Sequence, residues 1–243
     1  MSALHSRPSL NASQLKYLAA ALMVVDHWNM LFQPLAGLYW DHPVLSNVFY
    51  FIGRTVFPIF AFFMAEGCRH THNRKGYLIR LGVFGGVTEL PFLLGLLSGS
   101  GSVIATFFLA AAGIFAFEAL RERYPLLIAL IPLSAFALLA QIAPTDYGFW
   151  GVITVAAVYF MGEDRRRQLA ALALCMGAVY LLPTWGTLRF PSAVQWIAAG
   201  CACLSVLGLA ACYNGERGKG SKWFFYWFYP LHLIVLGGLA MVL

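Results

Sequence analysis

Asp26 and His27 stand side by side in an apolar run, Arg54 and Glu66 break into a second, Glu89 into a third, and Tyr229 and His232 sit three residues apart in the last. An ionisable group at membrane depth costs several kcal/mol if it stays charged and unpaired, so such residues face a protein interior or a wet cavity and mark functional candidates. Adjacent residues on a helix point about 100° apart, which stops Asp26 and His27 from pairing with each other and gives each a partner elsewhere. Arg54 is the natural mate for Asp26, because its planar guanidinium matches a carboxylate and does not escape burial by losing its proton. Such a pair either pins two helices together or supports a reaction centre. Either imidazole alone is equally a satisfied core residue; an acid, a guanidinium and two imidazoles brought to one depth by different helices point to proton transfer.

A second constellation begins at Glu66. Glu66, His70 and Arg74 are spaced i, i+4, i+8, and the run "CRHTHNRKGYLIR" from Cys68 to Arg80 gathers Arg69, Arg74, Lys75 and Arg80 around a short loop. That surface would receive a polyanion such as a nucleotide-bearing cofactor, although a basic loop is also what membrane topology alone demands. His70 and His72 lack a third ligand, and no metal is expected. Asp146 and Tyr147, in "PTDYGFWG", lie at the opposite mouth, where Asp146 serves equally as a helix N-cap. The five cysteines lack ligand spacing and read as packing residues.

The elements that position these groups follow from composition. Of 243 residues, 60% are hydrophobic and 11% charged, against about 25% charged in an ordinary soluble domain, so the chain belongs in a membrane. No strand alternation suggests a barrel. The expected fold is all-α, a polytopic transmembrane helical bundle of about nine spans, at 15–33, 47–67, 77–97, 103–119, 125–141, 148–162, 169–183, 192–213 and 223–242. A tail of residues 1–14 precedes a single domain over 15–243, and Asp26 and His27 argue against a cleavable signal in the first run. Lys and Arg gather on alternate loops, whereas the intervening ones hold Asp41, "SGSG" at 98–101, "APTDY" at 143–147 and a lone Arg189. The positive-inside rule then places the N-terminus in the cytoplasm and the C-terminus outside. The net charge of +6 fits contact with anionic lipids and gives no reason to invoke nucleic acid.

The stretches "LKYLAAALMVVDH", "GRTVFPIFAFFMAEG", "RHTHNRKGYLIRL", "TELPF", "DYG" and "FYPLHL", in order along nearly the whole chain, resemble the TraX family of integral membrane proteins. The resemblance implies a bacterial inner-membrane acetyltransferase that takes acetyl-CoA as donor and acetylates the N-terminus of a conjugative pilin. It also carries the family's Asp-His, Gly-Arg and Tyr-x-x-His positions onto Asp26, His27, Gly53, Arg54, Tyr229 and His232. On that footing the phosphates of coenzyme A would lie on Arg69, His70, Arg74, Lys75 and Arg80, with Glu66 guarding the way in. His27 would be the general base, and His232 with Tyr229 the oxyanion donor or second acid-base group. Asp26 and Arg54 would orient them, and Glu89, Asp146 and Tyr147 would meet the acceptor. An O-acyltransferase acting on a glycan or lipid, a proton-coupled transporter and a helical scaffold of a pilus complex are the alternatives.

Overall fold

The computed structural model describes residues 9–32, 43–93, 101–143, 145–182 and 191–242. Asp41, most of the "SGSG" loop, Pro144 and Arg189 lie outside the described residues. Among the described residues regular structure is helical: α1 (Ala12–Phe32), α2 (Pro43–Gly53), α3 (Val56–His70), α4 (Arg74–Leu93), α5 (Val103–Arg121), α6 (Leu126–Ile142), α7 (Gly148–Phe160), α8 (Arg165–Leu181), α9 (Ala193–Cys212) and α10 (Lys222–Val242).

Among the described residues four segments are both long and apolar enough to cross a membrane: 44–70, α5, α9 and residues 222–240 of α10. This corrects the expectation of nine equivalent spans. At 1.5 Å per residue, the 13-residue α7 reaches only about 20 Å, short of a hydrocarbon core of about 30 Å. The 21-residue α1 and 20-residue α4 have the length but not the apolarity, because they carry Lys16, Asp26 and His27, and Arg80 and Glu89. The expected second span is also not continuous: α2 and α3 are separated by turn residues Arg54 and Thr55. Thr55 satisfies itself by donating to the Ile52 carbonyl at 2.7 Å.

The bundle is organised around α3. Ten of its fifteen residues are buried, on every face, and it touches α1, α2, α5, α7, α8 and α9. A helix apolar all round belongs in a core, which is why "VFPIFAFFMA" shows no polar stripe. By contrast α9 and α10 keep large apolar side chains such as Trp196, Leu204, Leu207, Ile234 and Val235 on the outside, as lipid-facing helices do. Helix α10 closes the bundle against α1 and α4.

The helix ends that carry the basic residues meet at one end of the bundle. Leu10 pairs with the 212–214 segment, whose continuation also receives the first amides of α1: Ala12 donates to the Glu216 carbonyl and Ser13 to that of Arg217. Arg69 donates to the Tyr159 carbonyl at 2.8 Å, Arg74 pairs with Glu118 at 2.5 Å, and Arg165 donates to the Tyr213 carbonyl at 2.7 Å. The Arg69 and Arg165 contacts satisfy carbonyls at helix ends that would otherwise lack partners, and the Arg74–Glu118 pair ties α4 to α5.

Candidate active site

Asp26 and Arg54 form the expected pair. Nη2 of Arg54 donates to both carboxylate oxygens, at 3.1 and 3.4 Å, while Nε donates to the Tyr50 carbonyl and the guanidinium lies 4.5 Å from the Tyr50 ring centroid. The break between α2 and α3 is what places Arg54 there. Gly53, just before it, has no side chain for a physical reason: a Cβ built at that position would run into the Asp26 carboxylate.

The two histidines meet directly. Nδ1 of His27, on α1, lies 2.5 Å from Nε2 of His232, on α10, with the rings 15° from parallel. His232 Nδ1 faces the Phe228 carbonyl at 2.8 Å, and a carbonyl only accepts, so that nitrogen carries a hydrogen. In neutral His232 the other nitrogen, Nε2, is then an acceptor, and His27 must donate to it from Nδ1. The lone pair of His27 is left on its Nε2. Phe228 stacks on His232 at 4.8 Å, and Tyr229 meets both imidazoles edge-on at 5.8 and 5.3 Å. The Tyr229 hydroxyl accepts from the Val103 amide at the start of α5, at 3.5 Å.

Two cavities lie beside this pair: His27 lines the smaller, and Phe228 and Tyr229, whose rings pack on His232, line the larger. The larger, of 240 Å³, runs among apolar side chains from Lys16, Gly67, Tyr77 and Lys222 to Phe107 and Tyr229. The smaller, of 30 Å³, is bordered by Asp26, His27, Asp146 and Tyr147. Tyr147 adopts left-handed backbone, φ 61°, at the start of α7, where its carbonyl accepts from the Gly151 amide at 2.9 Å; its ring stacks on Phe57 at 3.8 Å. Asp146 accepts from the Tyr147 amide at 3.0 Å, and its carbonyl holds the Thr106 hydroxyl.

Not every residue nominated from the sequence joins them. Glu89, on α4, accepts from the Ser102 amide at 2.8 Å and lines neither cavity. It thereby helps to cap α5, and residues 94–97 of the expected span lie outside the described residues. Glu66 is a hub for Arg69, His70 and Gln168 beside a separate polar cavity of 200 Å³. Burial and Glu66 raise the nearby Tyr213 phenol above its ordinary value, with Arg165 opposing them. Arg74 is taken up by Glu118, Lys75 is exposed, and Arg80 lies beside the Tyr226 hydroxyl. Sequence reasoning missed Lys16 and Lys222 as cavity residues. They looked like topology markers, and only the packing of α1 and α10 against α3 and α4 sets them at one mouth. Among the described residues neither has an acidic partner; Lys16 lies over the Phe63 ring at 5.0 Å and Lys222 over Trp223 at 5.8 Å. No group of three or more metal-ligating side chains occurs among the described residues.

The family described as TraX protein matches residues 11–240. The chain is 31% identical to a probable fimbrial assembly protein, FimC of serogroup H1, from Dichelobacter nodosus, over 96% of this chain and 97% of that one. It is 29% identical to Protein TraX of Escherichia coli, over 93% of this chain and 86% of the other. No solved structure matches it.

Proposed function

The chain belongs to the TraX family, and we propose that it is a multi-pass inner-membrane acetyltransferase that moves an acetyl group from cytosolic acetyl-CoA to an acceptor amine. The N-terminus of a pilin subunit is the favoured acceptor. One relative is named for fimbrial assembly, and the family resemblance points to conjugative pilin. The observation that carries the reading is the His27–His232 contact, with His27 on the wall of the smaller, more polar cavity and Tyr229 on the walls of both.

The pantetheine arm fits the apolar cavity, with its phosphates toward Lys16 and Lys222 and the other cations of that end. The thioester carbonyl then comes to rest beside the imidazoles, and the amine approaches through the polar cavity. Nitrogen attacks the carbonyl carbon and gives its proton to Nε2 of His27, while Nδ1–H of His27 and the Phe228 carbonyl, through His232, keep that tautomer in place. The Tyr229 hydroxyl, backed by the positive end of α5 at Val103, stabilises the oxyanion. The C–N bond forms, the C–S bond breaks, and the leaving sulfur takes the proton held by His27, giving an amide and free thiol. Arg54 holds Asp26 against α2, which fixes the segment of α1 that bears His27.

The test is to incubate purified protein in nanodiscs with acetyl-CoA and a pilin, reading acetylation by mass spectrometry and thiol release by absorbance. Acetylated pilin N-terminus is the expected product. A folded protein that releases no thiol overturns the reading and favours proton-coupled transport through the same histidines.

A further inference from the structure

Much of the wall of the larger cavity is hydrocarbon, with Phe63, Leu81, Phe107 and Phe225 among its residues. Tyr77, on α4, brings a hydroxyl into that wall. The hydroxyl donates to Sδ of Met64 at 3.3 Å, and this thioether is its acceptor among the described residues. One turn on from Met64 along α3 stands Gly67, where a Cβ would lie 2.5 Å from the Tyr77 oxygen. The hydroxyl therefore keeps its place because residue 67 has no side chain. Met64, Gly67 and Tyr77 all line the cavity, so the hydroxyl sits among residues of the wall.

A thioether is a weak acceptor, and a buried hydroxyl gains less from sulfur than from a carbonyl oxygen. A stronger acceptor in the cavity would take the hydrogen bond over. The other two phenols of the wall are turned to other groups, Tyr226 to Arg80 and Tyr229 to the Val103 amide. A hydrocarbon chain passing Tyr77 has no acceptor to give it. A pantetheine arm has amide carbonyls, and it carries them several bonds back from its sulfur. Tyr77 is set back in the same sense: Gly67, beside its hydroxyl, is seven residues or about 10 Å along α3 from Phe60, which lines both cavities.

Resting on the acyltransferase reading above, we propose that the Tyr77 hydroxyl is a subsite for an amide carbonyl of the donor's arm, through which the cavity selects a pantetheine thioester over an alkyl thioester. On binding, the hydroxyl exchanges the Met64 sulfur for the carbonyl oxygen. Gly67 leaves the hydroxyl the room to do so.

Thiol release from S-acetylpantetheine and from an S-acetyl alkanethiol of matched length, with a peptide amine as acceptor, tests the subsite in wild type, Tyr77→Phe, Gly67→Ala and Met64→Leu. The readout is the ratio of kcat/KM for the two donors, which cancels differences in the amount of folded protein. Tyr77→Phe should shrink the preference for pantetheine by about three- to tenfold, the scale of one neutral hydrogen bond. Gly67→Ala should shrink it too, by pushing the hydroxyl aside, and it keeps the test alive if Tyr77→Phe fails to fold. Met64→Leu removes only the resting acceptor and should leave the preference intact, whereas a tyrosine that mattered through its contact with Met64 would lose it there as well. Calorimetric titration should show coenzyme A binding to Tyr77→Phe weakened by the same factor. A wild type without the preference, a preference or a Kd unmoved in the folded variants at 77 and 67, or an equal loss in Met64→Leu overturns the subsite alone. A folded wild type that releases thiol from neither donor overturns the acyltransferase reading and the subsite with it.

Discussion

At the scale of single residues the site depends on one hydrogen-bonded chain, from the Phe228 carbonyl through His232 to His27. His232 then works through His27, and the two act as a unit. Losing the base costs about 10²–10⁴ in rate. His27→Ala should therefore lose that factor, His232→Ala a comparable or smaller one, and the double variant no more than His27→Ala alone, because effects within a unit are strongly non-additive. The check is kcat for acetyl transfer in all four proteins. A double variant whose loss is the product of the two single losses would mean that the imidazoles act independently. Arg54 with Asp26 was legible in the sequence because a buried guanidinium has few partners to choose from. The direct histidine contact was not, since depth can be counted along a helix but the facing of α1 and α10 depends on their packing. Glu89 misled for a related reason: its depth can be counted along α4, but the Ser102 amide that claims its carboxylate comes from the start of another helix.

Helices, rather than loops, decide which cations are available to a ligand. Arg69 and Arg74, strong candidates by sequence, are spent on tying α3 to α7 and α4 to α5 through the Tyr159 carbonyl and Glu118. Lys16 stands in the second turn of α1 and Lys222 in the first of α10, on the rim of the apolar cavity and, among the described residues, without acidic partners. Remote phosphates bind alike in ground and transition states, so Lys16→Gln should raise the KM for acetyl-CoA more than it lowers kcat, with the wild-type advantage shrinking as salt is added. Arg74→Gln should instead lower the melting temperature, by freeing Glu118, and leave the KM for acetyl-CoA closer to wild type. Calorimetric titration of coenzyme A and thermal melts of both variants separate the two roles. Reversed outcomes, with coenzyme A binding lost in Arg74→Gln and intact in Lys16→Gln, would return the phosphate site to the 69–80 loop. The helices themselves were read from the sequence to within a few residues, since hydropathy reports where apolar runs end. The break at Arg54 was invisible to it, because a turn of two residues leaves the mean hydropathy of the run unchanged.

At the scale of the whole molecule, the two cavities and the charge distribution share one axis. The apolar cavity reaches its mouth beside Gly67, Tyr77 and Lys222, at the end where Arg69 and Arg165 bind carbonyls of neighbouring helix ends and Arg74 pairs with Glu118. The polar cavity is bordered by Asp146 and Tyr147, at the opposite end of α7 from Tyr159. The positive-inside rule assigns the basic end to the cytoplasm, so donor and acceptor should reach His27 from opposite faces of the membrane. A soluble enzyme has no counterpart to this constraint, and it gives the fold a directional test. In sealed proteoliposomes, molecules with their basic end inward should acetylate an external peptide only when acetyl-CoA is loaded in the lumen. With acetyl-CoA and peptide both outside, those molecules should be silent, and permeabilising the vesicles should restore their share of the rate. Protease accessibility of a tag on the C-terminus, expected on the face opposite the basic loops, reports the orientation independently. Product formed at full rate with both substrates on one side of intact vesicles would mean that the cavities open to the same face, and that the acetyl group is not carried across the bundle.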